Sequence, residues 1–250
     1  MILAIDNGNT NTAFGLFRNN KLVRTFKTAN LHHSSAESYR DYFSSRRKDI
    51  HGAVISSAVP ARGKVLAEMT EIYLNIKPVI VSYKLELGIG LKYKNPARLG
   101  PDRICSAAGA YSLFKGPAII VDFGTAITFN VVSEEGDFLG GLISPGVSAS
   151  ASALHRRTGA LPLTKPAFPK HIIGNDTVSG IKAGIMFGTL GAVEGIIVRL
   201  KKTLGGKCRV IGTGGDVDAF AGKTGLIDTV EPHLVLKGAY IIYRLNRSNH

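Results

Sequence analysis

Residues 2–12 read ILAIDNGNTNT, and residues 119–128 read IIVDFGTAIT. Each stretch is an apolar strand that ends in Asp-x-Gly, with a threonine six residues after the aspartate. The two aspartates lie 122 − 6 = 116 residues apart, close to half of the 250-residue chain, so the pattern predicts an internal duplication. A glycine after a strand lets the backbone turn tightly, and backbone N–H groups and threonine hydroxyls can then face an anion. Two such turns predict a nucleotide held in a cleft between related halves.

The aspartate in each turn indicates a bound cation. Carboxylates repel phosphates, so Asp6 and Asp122 need a bridging ion, and Mg²⁺ is usually held by one or two carboxylates together with phosphate oxygens. The alternative for either copy is an ordinary strand followed by an Asp-Gly hairpin turn, which is common. Because the two copies have matching offsets, the repeat favours the nucleotide site.

The composition indicates a globular, cytoplasmic protein. Hydrophobic residues make up 44% of the chain and charged residues 20%, and the length suffices for one large domain or two of half that size. No stretch reaches the roughly 18 apolar residues of a membrane helix, and the N-terminus does not read as a secretion signal. Cys105 and Cys208 lack CxxC spacing, so we expect them to pack as small apolar groups rather than to form a zinc site or a disulfide.

The net charge of +13 is compatible with two kinds of partner. An excess of 31 basic over 18 acidic residues could serve a nucleic acid or an anionic small molecule such as ATP. The basic residues are spread along the chain, with short clusters at residues 46–48, 155–157 and 201–202. This spread favours ATP, and we do not expect a nucleic-acid partner.

Hydrophobic periodicity predicts alternating strands and helices, and hence an α/β fold. Each half opens with a meander of strands, and residues 85–99 read as a loop. Predicted strands besides the second repeat cover residues 2–5, 12–17, 22–26, 53–57, 78–82, 129–132, 138–141 and 208–211. Predicted helices cover residues 35–45, 65–74, 104–114, 147–157, 178–202 and 234–245, with a break at Pro60.

The predicted helix at 178–202 carries most of its glycines on one face, at positions 180, 184, 188, 191 and 195. This face indicates close contact with another helix, for which a second subunit is one candidate. The alternative is a helix buried within the chain. Lys182, Glu194 and Arg199 argue against a membrane setting.

The segment Gly100-Pro101-Asp102-Arg103 is a candidate for chemistry. Its aspartate stands at the start of a predicted helix, where it could cap free N–H groups. Alternatively, Asp102 accepts or orients the proton of a substrate hydroxyl, and Arg103 pairs with an anionic or carbonyl group of that substrate. Positioning of this kind supplies most of the catalysis in phosphoryl transfer.

Several common motifs are missing from the sequence. Gly222-Lys223-Thr224 has Val217 where a Walker A loop needs glycine, and the turn at 212–215 does not match G-x-G-x-x-G. No G-x-S-x-G elbow occurs, and no histidine pair has metal-ligand spacing.

The remaining motifs together resemble those of the type III pantothenate kinases, which belong to the superfamily of acetate and sugar kinases, Hsp70 and actin. The resemblance covers essentially the whole chain. It rests on residues 6–10, 95–96, 100–103, 122–128, 140–146 and 213–215 in this order. It implies an α/β fold of two duplicated ribonuclease H-like (actin-like ATPase) domains, with mixed central sheets flanked by helices and an ATP cleft between them. We place the two halves at residues 1–116 and 117–250.

The resemblance also implies the residues of the site. The expected ATP contacts are Asp6, Asn7, Gly8, Asn9, Thr10, Asn11, Thr12, Ala13 and Thr125. The expected pantothenate contacts are Tyr93, Gly100, Pro101, Asp102, Arg103 and Thr177, with Asp102 as the catalytic acceptor of the hydroxyl proton. Asp6 would lie near the Mg²⁺ that accompanies ATP, and Asp122 would bind a monovalent cation, K⁺ or NH₄⁺. Two positions depart from the family: Asn7 is polar where an apolar residue is usual, and Pro101 is unusually stiff.

The implied function is ATP-dependent phosphorylation of pantothenate to 4'-phosphopantothenate, the first step of coenzyme A biosynthesis, by a cytoplasmic homodimer. One alternative is a non-enzymatic accessory transcription factor of the same superfamily. The other is a kinase for another small hydroxyl compound, which the residues do not distinguish. A complete phosphoryl-transfer set argues against the transcription factor; its members are Asp6, Asp102, Arg103, Asp122 and Thr177.

Overall fold

A computed structural model of the protein describes residues 1–30, 35–43 and 49–247. The predicted helix at 35–45 falls partly outside these residues, and the basic cluster at 46–48 falls wholly outside them. The chain forms two compact units: unit 1 contains residues 1–115, 136–139 and those from 233 onward, and unit 2 contains residues 116–135 and 140–232. The last helix thus packs within unit 1, and the division into halves at residues 116 and 117 stays a prediction.

The elements alternate between strands and helices through most of the chain. In chain order the strands are β1 Ile2–Asn7, β2 Asn11–Arg18, β3 Lys21–Ala29, β4 Gly52–Ser57, β5 Val79–Ile80, β6 Gly90–Leu91, β7 Ala118–Phe123, β8 Ala126–Val132, β9 Asp137–Pro145, β10 Arg209–Thr213 and β11 Thr229–Val230. The helices are α1 Arg40–Phe43, α2 Pro60–Met69, α3 Pro101–Phe114, α4 Val147–Arg157, α5 Thr177–Thr203, α6 Val217–Ala221 and α7 Leu234–Asn246. Short 3-10 helices cover Ala36–Tyr39 and Pro96–Arg98, and α2 continues into a π-helical turn at Thr70–Leu74.

Each unit contains a mixed sheet, and the two sheets have equivalent strand orders. In unit 1 the order is β3-β2-β1-β4-β5, with β2 antiparallel to β1 and β3, and with β4 and β5 parallel to β1. The second sheet has six strands in the order β6-β9-β8-β7-β10-β11, in which the two-residue β6 pairs in parallel with the first residues of β9. Its other five strands repeat the order of the first sheet, with β8 antiparallel to β7, and with β10 and β11 parallel to β7. The prediction of two duplicated α/β domains with mixed sheets is therefore confirmed.

Each sheet is packed into an apolar core of its own. Ile5, Phe14 and Ile55 are fully buried in unit 1, as are Phe129 and Phe220 in unit 2. The central strands β1 and β7 are almost continuously apolar because helices cover the sheets, as is usual for strands that are buried on both faces. The single aspartate of each repeat, Asp6 or Asp122, lies next to the last residue of such a strand.

The strand pairs that flank the two Asp-x-Gly turns differ in register by one residue. In the antiparallel pair of β1 and β2, Asn7 lies opposite Thr12, whereas in the pair of β7 and β8 it is Asp122 that lies opposite Thr128. Residues directly opposite each other in such a pair point to the same face of the sheet. Thr128 therefore shares a face with Asp122, but Thr12 points to the face opposite that of Asp6. The equal spacing in the sequence does not give equal positions in the fold.

Two helices begin at prolines, earlier than predicted. α2 begins at Pro60, where a break was expected, and α3 begins at Pro101 instead of residue 104. Proline suits the first position of a helix because its missing N–H is not used there and its φ is already helical. The predicted strand at 78–82 shortens to β5, and α6 had no counterpart in the prediction.

Helix α5 is long, apolar and largely exposed. By length and composition alone it could cross a membrane, and only 28% of its apolar window is buried. A Cβ added at Gly180, Gly184, Gly188 or Gly191 would meet no described heavy atom within 4 Å. The glycines therefore do not serve packing within the described chain, so the alternative of a helix buried by its own chain is wrong for this face.

Candidate active site

The first predicted phosphate loop is a tight turn at residues 8–10 of unit 1. The Gly8 N–H donates to the Asn11 carbonyl at 3.0 Å and closes the turn. Asn9 and Thr10 are exposed at its tip, and Asp6 is half-buried at the end of β1. The loop thus presents polar groups to solvent beside a carboxylate, as the sequence predicts.

The side chains of Asn7 and Thr12 lie behind this loop, fully buried. Asn7 Nδ2 donates to Thr12 Oγ1 at 2.9 Å, and Ser57 Oγ donates to Asn7 Oδ1 at 2.8 Å. The polar residue at position 7 is therefore satisfied within the protein. Because both side chains are buried, only the backbone of these two residues could contact ATP, and this contact stays a prediction.

Asp102 stands in the first turn of α3, and Gly100 is the N-cap residue. Asp102 is thus not the N-cap residue of α3. A carboxylate in the first turn is nevertheless favoured by the helix dipole. Pro101 occupies the first helical position, where a proline is compatible with the helix. A Cβ at residue 100 would lie 2.4 Å from Asp102 Oδ1, so glycine leaves the room that this carboxylate occupies.

The predicted substrate residues Tyr93 and Arg103 share one aromatic neighbour, Phe138. The guanidinium carbon of Arg103 lies 5.4 Å from the centroid of the Phe138 ring, and the Tyr93 ring meets the same ring edge-on at 5.8 Å. Cation–π and edge-on contacts of this kind fix the orientation of both side chains. Phe138 was assigned only to a strand in the sequence, where nothing besides its place shortly before Gly140-Gly141 marked it.

The two predicted carboxylates of unit 1 both act on the buried thiol of Cys105. Burial raises the pKa of Cys105 well above its usual value, and the negative charges of Asp6 and Asp102 raise it further. Ser56 on β4 is the ladder partner of Asp6, and Cys105 follows Asp102 by one helical turn. Asp6 and Asp102, which are 102 − 6 = 96 residues apart in sequence, thus act on one buried group. The packing expected of the cysteines is confirmed for Cys105, while Cys208 is half-buried.

The second predicted phosphate loop, in unit 2, is braced through its own backbone. The Gly124 N–H donates to the Ala126 carbonyl at 3.1 Å, and the Gly146 N–H donates to the Thr125 carbonyl at 3.0 Å. Gly146 must be glycine, since a Cβ there would lie 2.2 Å from the Gly124 carbonyl oxygen. Thr125 itself is exposed. This threonine is therefore placed to contact a ligand, whereas Thr128 is half-buried in β8.

Gly214 packs closely against the carboxylate of Asp122. Its φ of +95° is a conformation that L side chains rarely adopt, and a Cβ there would lie 2.4 Å from Asp122 Oδ1 and 2.5 Å from the Phe123 carbonyl oxygen. Two oxygen atoms thus lie where a side chain of residue 214 would be, so only glycine fits this position. Oxygen donors suit a hard cation, so the residues present fit the monovalent ion that the resemblance implies.

Thr177 is the exposed first residue of α5 in unit 2. The helix is capped by its neighbour Asp176, whose Oδ1 accepts from the Ser179 N–H at 3.0 Å, while Ser179 Oγ accepts from the Asp176 N–H at 3.2 Å. Hydrogen bonds from Ser179 lower the pKa of Asp176. Because the cap belongs to Asp176, the hydroxyl of Thr177 is not needed for it.

The described residues contain no group of three or more His, Cys, Asp or Glu side chains able to hold a metal ion. Mg²⁺ in nucleotide sites usually takes one or two carboxylates and completes its shell with phosphate and water oxygens. Asp6, next to the exposed turn, supplies one such carboxylate. Its chemistry fits an ion that arrives with a nucleotide.

The predicted site residues divide between the units. Unit 1 holds residues 6–13, Tyr93 and residues 100–103, whereas unit 2 holds Asp122, Thr125 and Thr177. Within unit 1 the structure brings Tyr93 to Arg103 through Phe138, and it packs α3, which bears Asp102, against β4, which carries the ladder partner of Asp6.

Comparison with protein families identifies similar proteins over most of the chain. The model of the type III pantothenate kinases matches residues 2–199. A type III pantothenate kinase of Moorella thermoacetica is 39% identical over 253 residues, which cover 98% of this chain and 100% of that protein. One of Bacillus cytotoxicus is 38% identical and covers 98% of this chain and 97% of its own.

Solved structures with the same fold have much lower identity. A Campylobacter jejuni protein described as a Baf family transcriptional activator superimposes with a TM-score of 0.61 at 19% identity, over 98% of this chain and 99% of its own. A Listeria monocytogenes protein described as an N-acetylmannosamine kinase gives a TM-score of 0.54 at 15% identity, over 100% and 99%. These likenesses concern the fold alone.

Proposed function

The chain belongs to the type III pantothenate kinase family, and from that premise we propose how its residues serve the phosphorylation of pantothenate. The reaction is ATP-dependent and yields 4'-phosphopantothenate, in the first step of coenzyme A biosynthesis. The observation that carries the proposal is that α3, which bears Asp102, packs against β4, where Ser56 is the ladder partner of Asp6. A carboxylate for the nucleotide and a carboxylate for the acceptor therefore belong to one region of unit 1.

Asp102 is the catalytic residue. Its carboxylate orients the primary hydroxyl of pantothenate and accepts the proton as the oxygen attacks the γ-phosphorus of ATP. Arg103 binds an anionic or carbonyl group of the same substrate, and Phe138 holds its guanidinium and the Tyr93 ring in place. Gly100, Pro101 and Thr177 complete the pantothenate contacts.

The phosphates of ATP are bound by the two turns. Backbone N–H groups of residues 9–11 face the phosphates in unit 1, with Thr10 at the exposed tip, and Thr125 contributes from unit 2. Asp6 would hold Mg²⁺ together with phosphate oxygens, and this ion neutralises charge that develops on the phosphoryl group. Without a cation, Asp6 would repel the phosphates.

Asp122 binds a monovalent cation, K⁺ or NH₄⁺. Support comes from the chemistry of two oxygen donors that lie close together beside Gly214, Asp122 Oδ1 and the Phe123 carbonyl oxygen. A bound cation would offset the charge of Asp122 beside the ATP-contacting turn. The same carboxylate without a cation would weaken nucleotide binding, because like charges repel.

Purified protein with ATP and Mg²⁺ is expected to release ADP only when pantothenate is present, and faster in K⁺ or NH₄⁺ than in Na⁺. Chromatography of ADP and of the phosphorylated product measures both directly. Pantothenate analogues and other small hydroxyl compounds, assayed in parallel, separate this kinase from one with another acceptor. If no ADP release depends on pantothenate, the proposed roles fail, and tight salt-sensitive DNA binding would instead favour the transcription-factor alternative.

We infer that the enzyme is a homodimer and that the exposed face of α5 belongs to its interface. Glycines on this face leave space in which another helix can approach closely, and nothing in the described chain fills it. A cavity of about 630 Å³ beside α5 is lined by Ile127 and Phe129 as well as by residues of the helix. Exposed Val178 and Val198 extend the apolar surface. Two copies of one face can pair about a two-fold axis, which is the commonest symmetry of protein dimers.

Light scattering at micromolar concentration is expected to give twice the mass of one chain. Gly184→Leu should shift the protein towards the monomer, because the added side chain occupies the space left for the partner. Gly222→Leu is the matched control, since that glycine also has open space around it but lies outside α5. A monomeric wild type, or a Gly184→Leu variant that remains fully dimeric, would contradict the inference.

We infer a cytoplasmic location, because ATP and the enzymes of central metabolism are found there. Lys182, Glu194 and Arg199 interrupt α5, and charged side chains are costly within a bilayer. Recovery of the protein without detergent checks this expectation.

A further inference from the structure

The carbonyl groups of the first phosphate loop are all held by one residue, Asn30, which follows β3. Asn30 Nδ2 donates to the Gly8 carbonyl at 2.8 Å and to the Asn9 carbonyl at 3.1 Å. Its backbone N–H donates to the Thr10 carbonyl at 2.9 Å. Three consecutive carbonyls of the turn are therefore directed towards the interior.

This arrangement fixes the direction of the N–H groups of the loop. In a trans peptide the C=O and the following N–H point in opposite directions, and the described chain has no cis peptide bond. The N–H groups of residues 9, 10 and 11 therefore point away from Asn30. Asn9 and Thr10 are exposed, so this side of the turn lies at the protein surface. Consecutive N–H groups that point outward form a concave site for anions.

Asn30 is itself locked in place. Only 5% of its surface is exposed, and its Oδ1 accepts from Thr12 Oγ1 at 2.7 Å and from Asn7 Nδ2 at 3.5 Å. Arg62 Nη1 donates to its backbone carbonyl at 2.8 Å. Because Oδ1 receives donors, Nδ2 must face the loop, and the amide cannot exchange its two ends without losing hydrogen bonds. The buried asparagine is a fixed support for the turn.

We propose that Asn30 is a positioning residue for the ATP phosphates: it turns the N–H groups of the loop outward without touching the nucleotide. The inference rests on the proposed function and identifies a residue that sets the phosphate affinity of the same site. Asn7 and Thr12 act through it, since both hold the Asn30 amide.

Asn246 provides a matched control of the same residue type in the same unit. It is 4% exposed, its Oδ1 accepts from the Glu86 N–H at 3.1 Å, and its Nδ2 donates to the carbonyls of Glu86 and Ile242, both at 2.8 Å. Truncation of either asparagine removes a buried amide that makes at least three hydrogen bonds; two backbone carbonyls accept from the Asn30 amide, and three backbone groups are bound by the Asn246 amide. Only Asn30 holds the phosphate loop.

The experiment compares Asn30→Ala with Asn246→Ala by calorimetric titration of ATP and of adenosine, without pantothenate. Both variants are expected to unfold at a lower temperature than the wild type. Only Asn30→Ala should raise the Kd for ATP, by about tenfold or more, because misplacing one charge-assisted hydrogen bond to a phosphate already costs that factor. The Kd for adenosine, which has no phosphates, should not change.

Unchanged ATP affinity in Asn30→Ala, or an equal loss for ATP and adenosine, would overturn the inference. If Asn30→Ala does not fold, Thr12→Val replaces it, because the Thr12 hydroxyl is buried, donates to Asn30 Oδ1 and is linked to the loop carbonyls only through the side chains of Asn30 and Asn7. That variant should also raise the Kd for ATP, and a Kd equal to that of the wild type would refute the inference. Because binding is measured without the acceptor, a lack of kinase activity would refute the proposed function alone.

Discussion

Asp102→Asn is expected to lower kcat by about 10³-fold while the Kd for ATP and the melting temperature stay close to those of the wild type. Asparagine keeps the size of the side chain but cannot accept the hydroxyl proton of pantothenate. The structural cost is small, because Gly100 and not Asp102 is the N-cap residue of α3. The loss of a favourable charge in the first turn is worth about 0.3–1 kcal/mol. Direct measurement of ADP formation at saturating substrates gives kcat.

Asp218→Asn is the matched control for this substitution. Asp218 occupies the second position of α6, as Asp102 does in α3, and it is exposed. Both substitutions remove one negative charge from the first turn of a helix, but only one removes the proposed proton acceptor. Wild-type activity in both variants would show that another group accepts the proton, and equal losses in both variants would indicate a general charge effect.

Gly238→Ala is expected to lower the free energy of unfolding of unit 1 by about 3 kcal/mol or more. A Cβ at residue 238 would lie 1.7 Å from the Cys105 carbonyl oxygen and 2.5 Å from the Cys105 carbonyl carbon. These are backbone atoms, so no side-chain rotation relieves the clash, and α3 and α7 must separate. Because α3 carries Asp102 and Arg103, activity should fall along with stability.

Gly222→Ala is the control for the gain of about 0.4–1 kcal/mol that alanine brings by restricting the unfolded chain. Gly222 follows α6 with a φ of −78°, which alanine also adopts, and it has open space around it, so its variant should be at least as stable as the wild type. Denaturant midpoints followed by circular dichroism, at one protein concentration for all variants, provide the comparison. A wild-type midpoint for Gly238→Ala would mean that the two helices adapt to the added methyl group.

The sequence predicts much of the fold because its signals are local. The apolar stretches around Asp6 and Asp122 mark the two central strands, and both meanders follow from the spacing of turns and apolar residues. The helices at 147–157, 178–202 and 234–245 agree with α4, α5 and α7 to within one residue at each end. Their starts and stops depend on the residues beside them along the chain.

The helix starts at Pro60 and Pro101 were predicted wrongly for a local reason as well. A proline breaks a helix when it lies in the interior, but at the first position it favours one. The residue type alone does not tell which position it takes. The packing of the preceding strand decides this, since it fixes where the chain must turn.

By itself, then, the sequence determined the duplicated α/β architecture, the family and the candidate residues of the site, since all of these depend on motifs that are continuous in the chain. Tertiary structure alone decided which side chains meet. A one-residue difference in strand register places Thr12 and Thr128 on different faces relative to their aspartates. Likewise, the contacts of Asn30, Cys105 and Phe138 join segments far apart in the chain. Such contacts depend on register and on helix packing, which no local pattern encodes.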